Sequence, residues 1–264
     1  MLSILKSNSL KINIISNYIG NGGVALLGML LLPIYLKFLG SEAYGLVGIF
    51  TSLQTILLLL DSGLSYTLNK EISQTIAVPN LQSQTRSILR TFEIVYWALS
   101  FLALVLAFSI SPFIASHWLG ASKFNDHYIT QCFFLLSLTL FFQFPQSLYT
   151  GGLLGSQRHL ALNFIKLIVA LIKGIGAIVV LKYVGNNLHN FFLWNLVITI
   201  VGTFALRVTL NFYIRSYSGP AKFDFQLIRK RIKFAAGMSG IALSSVLLSQ
   251  LDKVILSKIL SLEN

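Results

Sequence analysis

Charged residues are scarce in this sequence. Asp, Glu, Lys and Arg make up 11% of the 264 residues, whereas hydrophobic residues make up 55%, and the mean hydropathy is +0.76. A soluble domain usually carries charge on about a quarter of its residues. The composition therefore excludes an ordinary soluble domain and predicts an integral membrane protein.

Acidic residues and cysteines are rarer still. Eight Asp and Glu residues stand against 20 Lys and Arg, so the formal net charge is +12. Nucleic-acid binding would need basic residues gathered on a water-exposed face. Here they separate apolar runs, so no nucleic-acid partner is expected. The one cysteine, Cys132, lies in an apolar run and can form no disulfide within the chain.

Long apolar runs define the predicted helices, because a spanning helix needs about 20 apolar residues. The run at residues 12–36 is too long for a cleaved signal peptide. The predicted fold is all-α: a six-helix N-terminal lobe over residues 1–233, and a seventh transmembrane helix within residues 234–264. The six helices are predicted at about residues 14–36, 44–69, 92–113, 128–152, 162–181 and 188–214, with a basic cytoplasmic linker at 215–233.

Three local patterns predict how these helices pack. The Asn and Gly residues at 17–23 suit either close helix approach or the wall of a polar cavity. Ala236, Gly240 and Ser244 form a small-residue stripe at spacing four, which also suits close packing. Pro145 should kink the fourth helix, because proline removes a backbone donor.

The distribution of Lys and Arg predicts the orientation. If the N-terminus is cytoplasmic, twelve basic residues fall on the inner side, and only Lys37, Lys123 and Lys182 fall on the outer side. Cytoplasmic loops are enriched in Lys and Arg. We therefore expect a multi-pass membrane protein whose N-terminus is cytoplasmic, with the basic linker lying near anionic headgroups.

Ionisable residues within the predicted helices are the candidate functional residues, because charge in hydrocarbon is costly and such groups usually face protein or a water-filled cavity. Lys166 and Lys173 are seven residues apart and share one helical face. The residues predicted to bind an anionic substrate are Lys173, Arg207, Lys253 and Lys166. Asp61 and Asp252 are candidates for ion coupling or for a structural role.

No pattern in the sequence predicts catalysis. The four histidines are far apart and lack the spacing of metal ligands, and no serine has recognisable His and acid partners. We expect no catalytic residue, no metal, no cofactor and no enzymatic activity.

Several motifs together resemble one family. They are Pro-x-Tyr at residues 33–35, Leu-Gly-Ser-Glu-Ala-Tyr-Gly at 39–45, Asp-Ser-Gly-Leu-Ser at 61–65, Leu-Gly-Ser-Gln-Arg at 154–158 with Asn163, and Leu-Asp-Lys at 251–253. In this combination the chain resembles the polysaccharide biosynthesis flippases, the translocases of O-antigen and other lipid-linked oligosaccharides. These belong to the superfamily of multidrug, oligosaccharidyl-lipid and polysaccharide exporters.

A short internal repeat points to the same architecture. A shift of 221 positions places residues 36–42 over 257–263, with Lys, Leu and Glu in register. Parallel repeats of this kind relate the two halves of some transporters. The resemblance implies two lobes around a central cavity, of which this chain would supply one lobe and the first helix of an incomplete second lobe.

The resemblance implies transport of an undecaprenyl-pyrophosphate-linked oligosaccharide, such as an O-antigen unit for lipopolysaccharide, across the inner membrane. Its expected partners are the lipid-linked oligosaccharide, membrane lipids, and a missing C-terminal half or other polysaccharide assembly proteins. Two alternatives stay open: a cation-coupled multidrug exporter of the same superfamily, and a membrane polysaccharide polymerase or acyltransferase.

Overall fold

A computed structural model describes residues 2–118, 125–217, 219–229, 231, 233–241 and 244. Six long α-helices dominate these residues, and they contain no β-strand. In chain order the helices are α1 (Leu2–Leu39), α2 (Ser41–Ala77), α3 (Thr85–Trp118), α4 (Asp126–Gly155), α5 (His159–Tyr183) and α6 (Leu188–Ile214). Five of them are long and apolar enough to cross a membrane, as judged on the described residues.

The all-helical membrane architecture is therefore confirmed. Helix α6 has the predicted bounds, and the other five helices extend beyond theirs. The polar segment after residue 70 is also largely helical, because α2 continues to Ala77 and a 3-10 helix, Pro79–Gln84, leads into α3. Hydropathy marks only the part of a helix that crosses hydrocarbon, whereas backbone hydrogen bonding continues into the polar interface.

A sharp turn joins α1 to α2. Helix α1 ends at Leu39, and Gly40 adopts a φ of 81° before α2 begins at Ser41. Only glycine adopts a positive φ without steric cost. The one-residue connection is therefore possible because residue 40 is glycine.

Helix α4 is the centre of one side of the bundle, where it packs against α2, α3 and α6. Helix α5 packs between α1 and α6 on the other side. The ends at which α2, α4 and α6 finish and α3 and α5 begin lie together. We call this the basic end, because its exposed side chains include Arg90, Arg158 and Arg215.

The connection after α6 is fixed against α3. Ser87 donates a hydrogen bond to the Pro220 carbonyl at 2.6 Å, and Arg86 donates one to the Gly219 carbonyl at 3.1 Å. The Asp224 backbone N–H donates to the Thr91 hydroxyl at 3.0 Å. These bonds hold residues 219–224 along the first turns of α3.

A seventh helix, α7, follows at residues 225–229, 231, 233–241 and 244. It begins nine residues before the predicted start at Phe234, so the predicted linker is partly helical. The Asp224 carboxylate accepts a hydrogen bond from the Gln226 backbone N–H at 2.8 Å. That bond satisfies a donor that the first turn of a helix leaves unpaired, which explains why the helix starts within the polar segment.

Helix α7 packs against α2. Arg231 pairs with Glu71 at 2.5 Å, and the Lys70 ammonium lies 4.0 Å from the centroid of the Phe234 ring. A Cβ atom on Gly63 would collide with the Ala235 carbonyl oxygen, so the two helices approach closely there. The residues of the predicted stripe, Ala236, Gly240 and Ser244, lie away from this contact and are exposed, so their predicted close packing stays a prediction.

Candidate functional site

The core of the bundle consists of two apolar clusters. One contains Phe50, Phe133 and Leu181 and lies away from the basic end. The other contains Leu68, Tyr149 and Leu210 and lies at the basic end. The helices therefore have a middle layer between the clusters that belongs to neither.

The middle layer is rich in polar side chains. Its described members include Lys166 and Lys173 on α5, Gln143 and Gln146 on α4, and Thr199 and Thr203 on α6. Oε1 of Gln143 is buried and has no hydrogen-bond partner in the part of the chain that the structure describes. A polar layer halfway along apolar helices is costly in a membrane and usually faces protein or water. It is therefore the first candidate for a functional site.

The packing of α5 shows where its two lysines point. One edge of α5 contacts α1, since Gly20 lies against Asn163 and Gly23 against Leu167. The other edge contacts α6, since Gly202 lies against Val169 and the Trp194 indole donates to the Lys173 carbonyl at 3.2 Å.

Helical geometry of 100° per residue places the side chains of Lys166 and Lys173 between these two edges. They share this face with the buried residue Ala177, and both lysines are half-buried. The structure therefore brings Lys166 and Lys173 together on the face of α5 that looks into the bundle.

Arg207 does not join the lysines. It lies on the side of α6 that faces α3, where its Nε donates to Glu93 Oε1 at 2.7 Å. The Gly202 side of α6 is the one that contacts α5. The structure therefore does not bring Arg207 together with the lysines, and the predicted role of Arg207 in substrate binding stays a prediction.

Glu93 is the centre of a buried polar cluster. Its side chain is 7% exposed and accepts three donors: Arg207, Arg90 at 3.0 Å and the Tyr149 hydroxyl at 2.8 Å. The Trp97 indole in turn donates to the Tyr149 hydroxyl at 3.4 Å. A buried carboxylate is stable only when it is paired and hydrogen-bonded, and this cluster meets that condition.

A cavity of about 590 Å³ lies beside this cluster, between α3 and α6. Four arginines and one carboxylate line it, so the formal charge of its wall is +3. The arginines are Arg86, Arg90, Arg207 and Arg215. We call this space the α3/α6 cavity.

Sequence reasoning missed Glu93 and its partners. The available signal was that Glu93 is the one acidic residue of the predicted third helix, and a carboxylate within a spanning helix usually has a partner. The partner could not be identified, because Arg207 is 114 positions away along the chain.

The remaining predicted residues fall outside what the structure describes. Asp61 lies within α2, but its side chain is not among the described ones, and Asp252 and Lys253 lie beyond residue 244. The internal repeat at 257–263 lies there too. Among the described residues no group of three or more His, Cys, Asp or Glu side chains could hold a metal ion.

The small residues at 17–23 pack α1 against α5, which is one of the two readings of that pattern. Asn163 Nδ2 donates to the Asn17 side-chain oxygen at 2.6 Å and to the Ser16 hydroxyl at 3.0 Å. A Cβ on Gly20 would lie 2.7 Å from Cβ of Asn163. Glycine and a polar contact thus hold the two helices together.

Comparison with solved structures supports the fold. The chain is similar to an outward-facing multidrug resistance MATE family transporter of the MOP superfamily, with 14% identity and a TM-score of 0.74. It is also similar to a MOP superfamily transporter from Pyrococcus furiosus, with 16% identity and a TM-score of 0.75. Each comparison covers 94% of this chain but 55% of the other, so the chain spans about half of each transporter.

The sequence comparisons address the family. No curated protein matched the chain. The family model described as "Polysaccharide biosynthesis protein" matches residues 10–264, which is nearly the whole sequence. The chain therefore belongs to the polysaccharide biosynthesis protein family.

Proposed function

We propose that the chain forms one lobe of a flippase that moves an undecaprenyl-pyrophosphate-linked oligosaccharide across the bacterial inner membrane, with its N-terminus in the cytoplasm. The observation that carries this proposal is the pair of lysines in the middle layer. Lys166 and Lys173 are half-buried, share the inward face of α5, and lie between two apolar clusters. Family membership supports a role in polysaccharide biosynthesis.

The chemistry of the lysines suits a pyrophosphate. An ammonium group offers three N–H donors and a full positive charge, and hydrogen bonds between charged partners are about twice as strong as neutral ones. The headgroup of the amphiphile would enter a polar cavity beside α5 while its isoprenoid tail stays in lipid. Movement of one lobe against the other would then open the cavity to the opposite side. No covalent bond is made or broken.

Transport in this scheme needs a second lobe. The chain covers 55% of each solved transporter, and α7 follows the six-helix bundle and packs on α2. We propose that the second lobe lies beside α7. Asp61 and Asp252 remain the proposed candidates for ion coupling.

Multidrug export is the second candidate, because one of the similar structures is a multidrug transporter. A carrier of cationic drugs would favour acidic groups in its cavity. The charged side chains described in the middle layer are lysines, which favours an anionic substrate. The Pyrococcus furiosus transporter is described as having a binding pocket of reverse polarity that suggests a different function, so pocket charge can differ within this fold. The third alternative, a polymerase or acyltransferase, has no supporting observation in the described residues.

Substitution of Lys173 tests the proposal. In the complete natural protein that contains these residues, Lys173→Ala should lower translocation of lipid-linked glycan roughly tenfold or more, as expected for loss of a desolvated charged hydrogen bond. Lys173→Arg should retain most activity. Membrane insertion and amount of protein should not change.

The matched control is Lys182→Ala, since Lys182 is exposed at the end of the same helix. Unchanged glycan translocation in Lys173→Ala would overturn the assignment. Export of cationic drugs that depends on Lys173, with no glycan translocation, would favour the multidrug alternative. Glycan polymerisation without translocation would identify an enzyme instead.

A further inference from the structure

We propose that the α3/α6 cavity binds the phosphate headgroup of an anionic membrane phospholipid, with its acyl chain lying along α6. This site is separate from the lysines of the middle layer and does not depend on what the protein transports. The proposal rests on the charge of the cavity, on its fixed wall and on the apolar surface beside it.

The charge of the cavity suits one phosphate group. Of its four arginines, Arg90 and Arg207 contact Glu93, while Arg86 contacts the Gly219 carbonyl. Each of these contacts uses only some of the five N–H donors of a guanidinium. The single carboxylate leaves the wall with an excess of three positive charges. Arginine pairs with phosphate oxygens through two parallel hydrogen bonds.

The wall of the cavity is held in place before any ligand arrives. Glu93 fixes Arg90 and Arg207 from two helices, and Tyr149 on α4 fixes Glu93. The hydrogen bonds of Gly219 and Pro220 hold the connection against α3. A preformed site loses less conformational entropy on binding.

The surface beside the cavity is apolar and exposed. Phe204, Val208 and Phe212 line its α6 side, and they are 42%, 67% and 73% exposed. The same exposed stripe continues along α6 through Leu193, Val197 and Val201. Because α6 is a candidate membrane span, this stripe lies where lipid tails pack. A soluble anion would contact the arginines but not this stripe, whereas a phospholipid would contact both.

The position of the cavity also favours a membrane lipid. Its arginines lie near the first turns of α3 and the last turns of α6, at the level where headgroups meet the ends of spanning helices. Basic pockets between transmembrane helices at this level bind anionic lipid headgroups. Helix α7 packs on α2, whereas the cavity lies between α3 and α6, so the described part of α7 does not cover it.

Lipid binding to the purified chain tests the proposal. Tail-labelled phosphatidylglycerol and phosphatidylcholine are titrated against the protein in an uncharged detergent. The unmodified chain should prefer phosphatidylglycerol. The variants Arg215→Gln and Arg86→Gln/Arg215→Gln should lose about fivefold of that preference for each arginine removed. Arg215 is exposed, so its single variant should keep the fold even if the double variant does not.

The matched control is Lys222→Gln/Arg229→Gln, which removes two exposed charges near the same end but outside the cavity lining. This variant should keep the preference. An equal loss in control and cavity variants would show a diffuse surface potential and overturn the site. Equal binding of both lipids by the unmodified chain would also overturn it.

Two competition arms distinguish the source of the phosphate. Millimolar inorganic phosphate should not displace phosphatidylglycerol; if it does, the cavity is a free-phosphate site and the lipid assignment is wrong. Polyprenyl pyrophosphate should need at least as high a concentration as unlabelled phosphatidylglycerol to displace the labelled lipid. If a lower concentration is enough, the cavity binds the transported substrate instead.

Discussion

Ser100 on α3 donates a hydrogen bond from its Oγ to the backbone carbonyl of Phe141 on α4. Phe141 lies four residues before Pro145, so this carbonyl is the one that proline leaves without a donor in the helical ladder. The Thr203 hydroxyl on α6 donates to the next carbonyl, that of Phe142, at 3.0 Å. Neighbouring helices therefore supply hydrogen bonds where proline interrupts α4, as transmembrane helices with internal prolines require.

Removal of the Ser100 hydroxyl should destabilise the protein. Ser100→Ala leaves a buried carbonyl unpaired, which costs about 1 to 3 kcal/mol, measured as the free energy of unfolding in detergent. In a Pro145→Ala background residue 145 can donate to Phe141, so the cost of Ser100→Ala should shrink.

The control for this cycle is Ser109→Ala, because the exposed Ser109 hydroxyl donates to the Val105 carbonyl of its own helix. It should change the free energy of unfolding little in either background. Equal costs for Ser100→Ala with and without Pro145 would contradict the role assigned to the hydroxyl. The predicted kink at Pro145 stays a prediction.

The extent to which the sequence predicted this fold depends on the range of the interactions. The bounds of α6 follow from the apolar composition of one continuous segment. The shared face of Lys166 and Lys173 follows from their spacing of seven residues in a helix. Both are local features that the sequence shows directly. The pair formed by Glu93 and Arg207 joins residues 114 positions apart, and no local pattern encodes it.

Two neighbouring faces of α7 carry small residues, and α2 packs against one of them; packing of the predicted stripe on the other face stays a prediction. Ala235 and Ser239 contact Gly63 on α2, whereas Ala236 and Gly240 are exposed. The two pairs differ by one residue, which is a rotation of 100° around a helix. Both have spacing four and small side chains, so the sequence contained both possibilities and only the partner helix selects between them.

The ion pair between Glu93 and Arg207 should be strongly coupled. Arg207→Gln leaves the buried carboxylate of Glu93 with weaker compensation, and the expected cost is about 2 to 3 kcal/mol in the free energy of unfolding. A double-mutant cycle with Glu93→Gln should give a coupling energy of about 1 to 3 kcal/mol. Arg158→Gln is the control, because Arg158 packs on the Tyr213 ring rather than on Glu93. A cycle between Arg158 and Glu93 should give no coupling, and an equal coupling in both cycles would contradict a specific pair.

The contact of α1 with α5 should depend on Gly20 and not on Gly22. A Cβ at residue 20 would lie 2.7 to 2.9 Å from three atoms of the Asn163 side chain, whereas no atom of the described residues lies within 4 Å of one at residue 22. Gly20→Ala should therefore destabilise the protein, since Asn163 must move away from Asn17. Gly22→Ala should be neutral or stabilise by up to about 1 kcal/mol, because alanine favours helix. Thermal unfolding in detergent measures both, and equal effects would contradict the close approach.

The docking of α7 should depend on Gly63. A side chain at residue 63 would collide with the Ala235 carbonyl oxygen and the Ser239 hydroxyl. Gly63→Val should therefore loosen α7 and speed tryptic cleavage after the exposed Lys222. Gly237→Val is the matched control on α7, because nothing in the described structure lies within 4 Å of a Cβ there. Equal cleavage rates in the two variants would show that the helices do not pack as described.

The ion pair between Glu71 and Arg231 should hold the start of α7 to α2. The two side chains are 12% and 19% exposed and lie 2.5 Å apart, so water screens them less than it would a surface pair. Arg231→Glu places two carboxylates together, and cleavage after Lys222 should accelerate as repulsion separates the helices. The charge-reversed double variant Glu71→Arg/Arg231→Glu should restore slow cleavage, because the pair forms again with exchanged signs. If the double variant is cleaved as fast as the single one, the attraction between these two opposite charges is not what holds α7, and its other contacts with α2, at Gly63 and between Lys70 and Phe234, must do so.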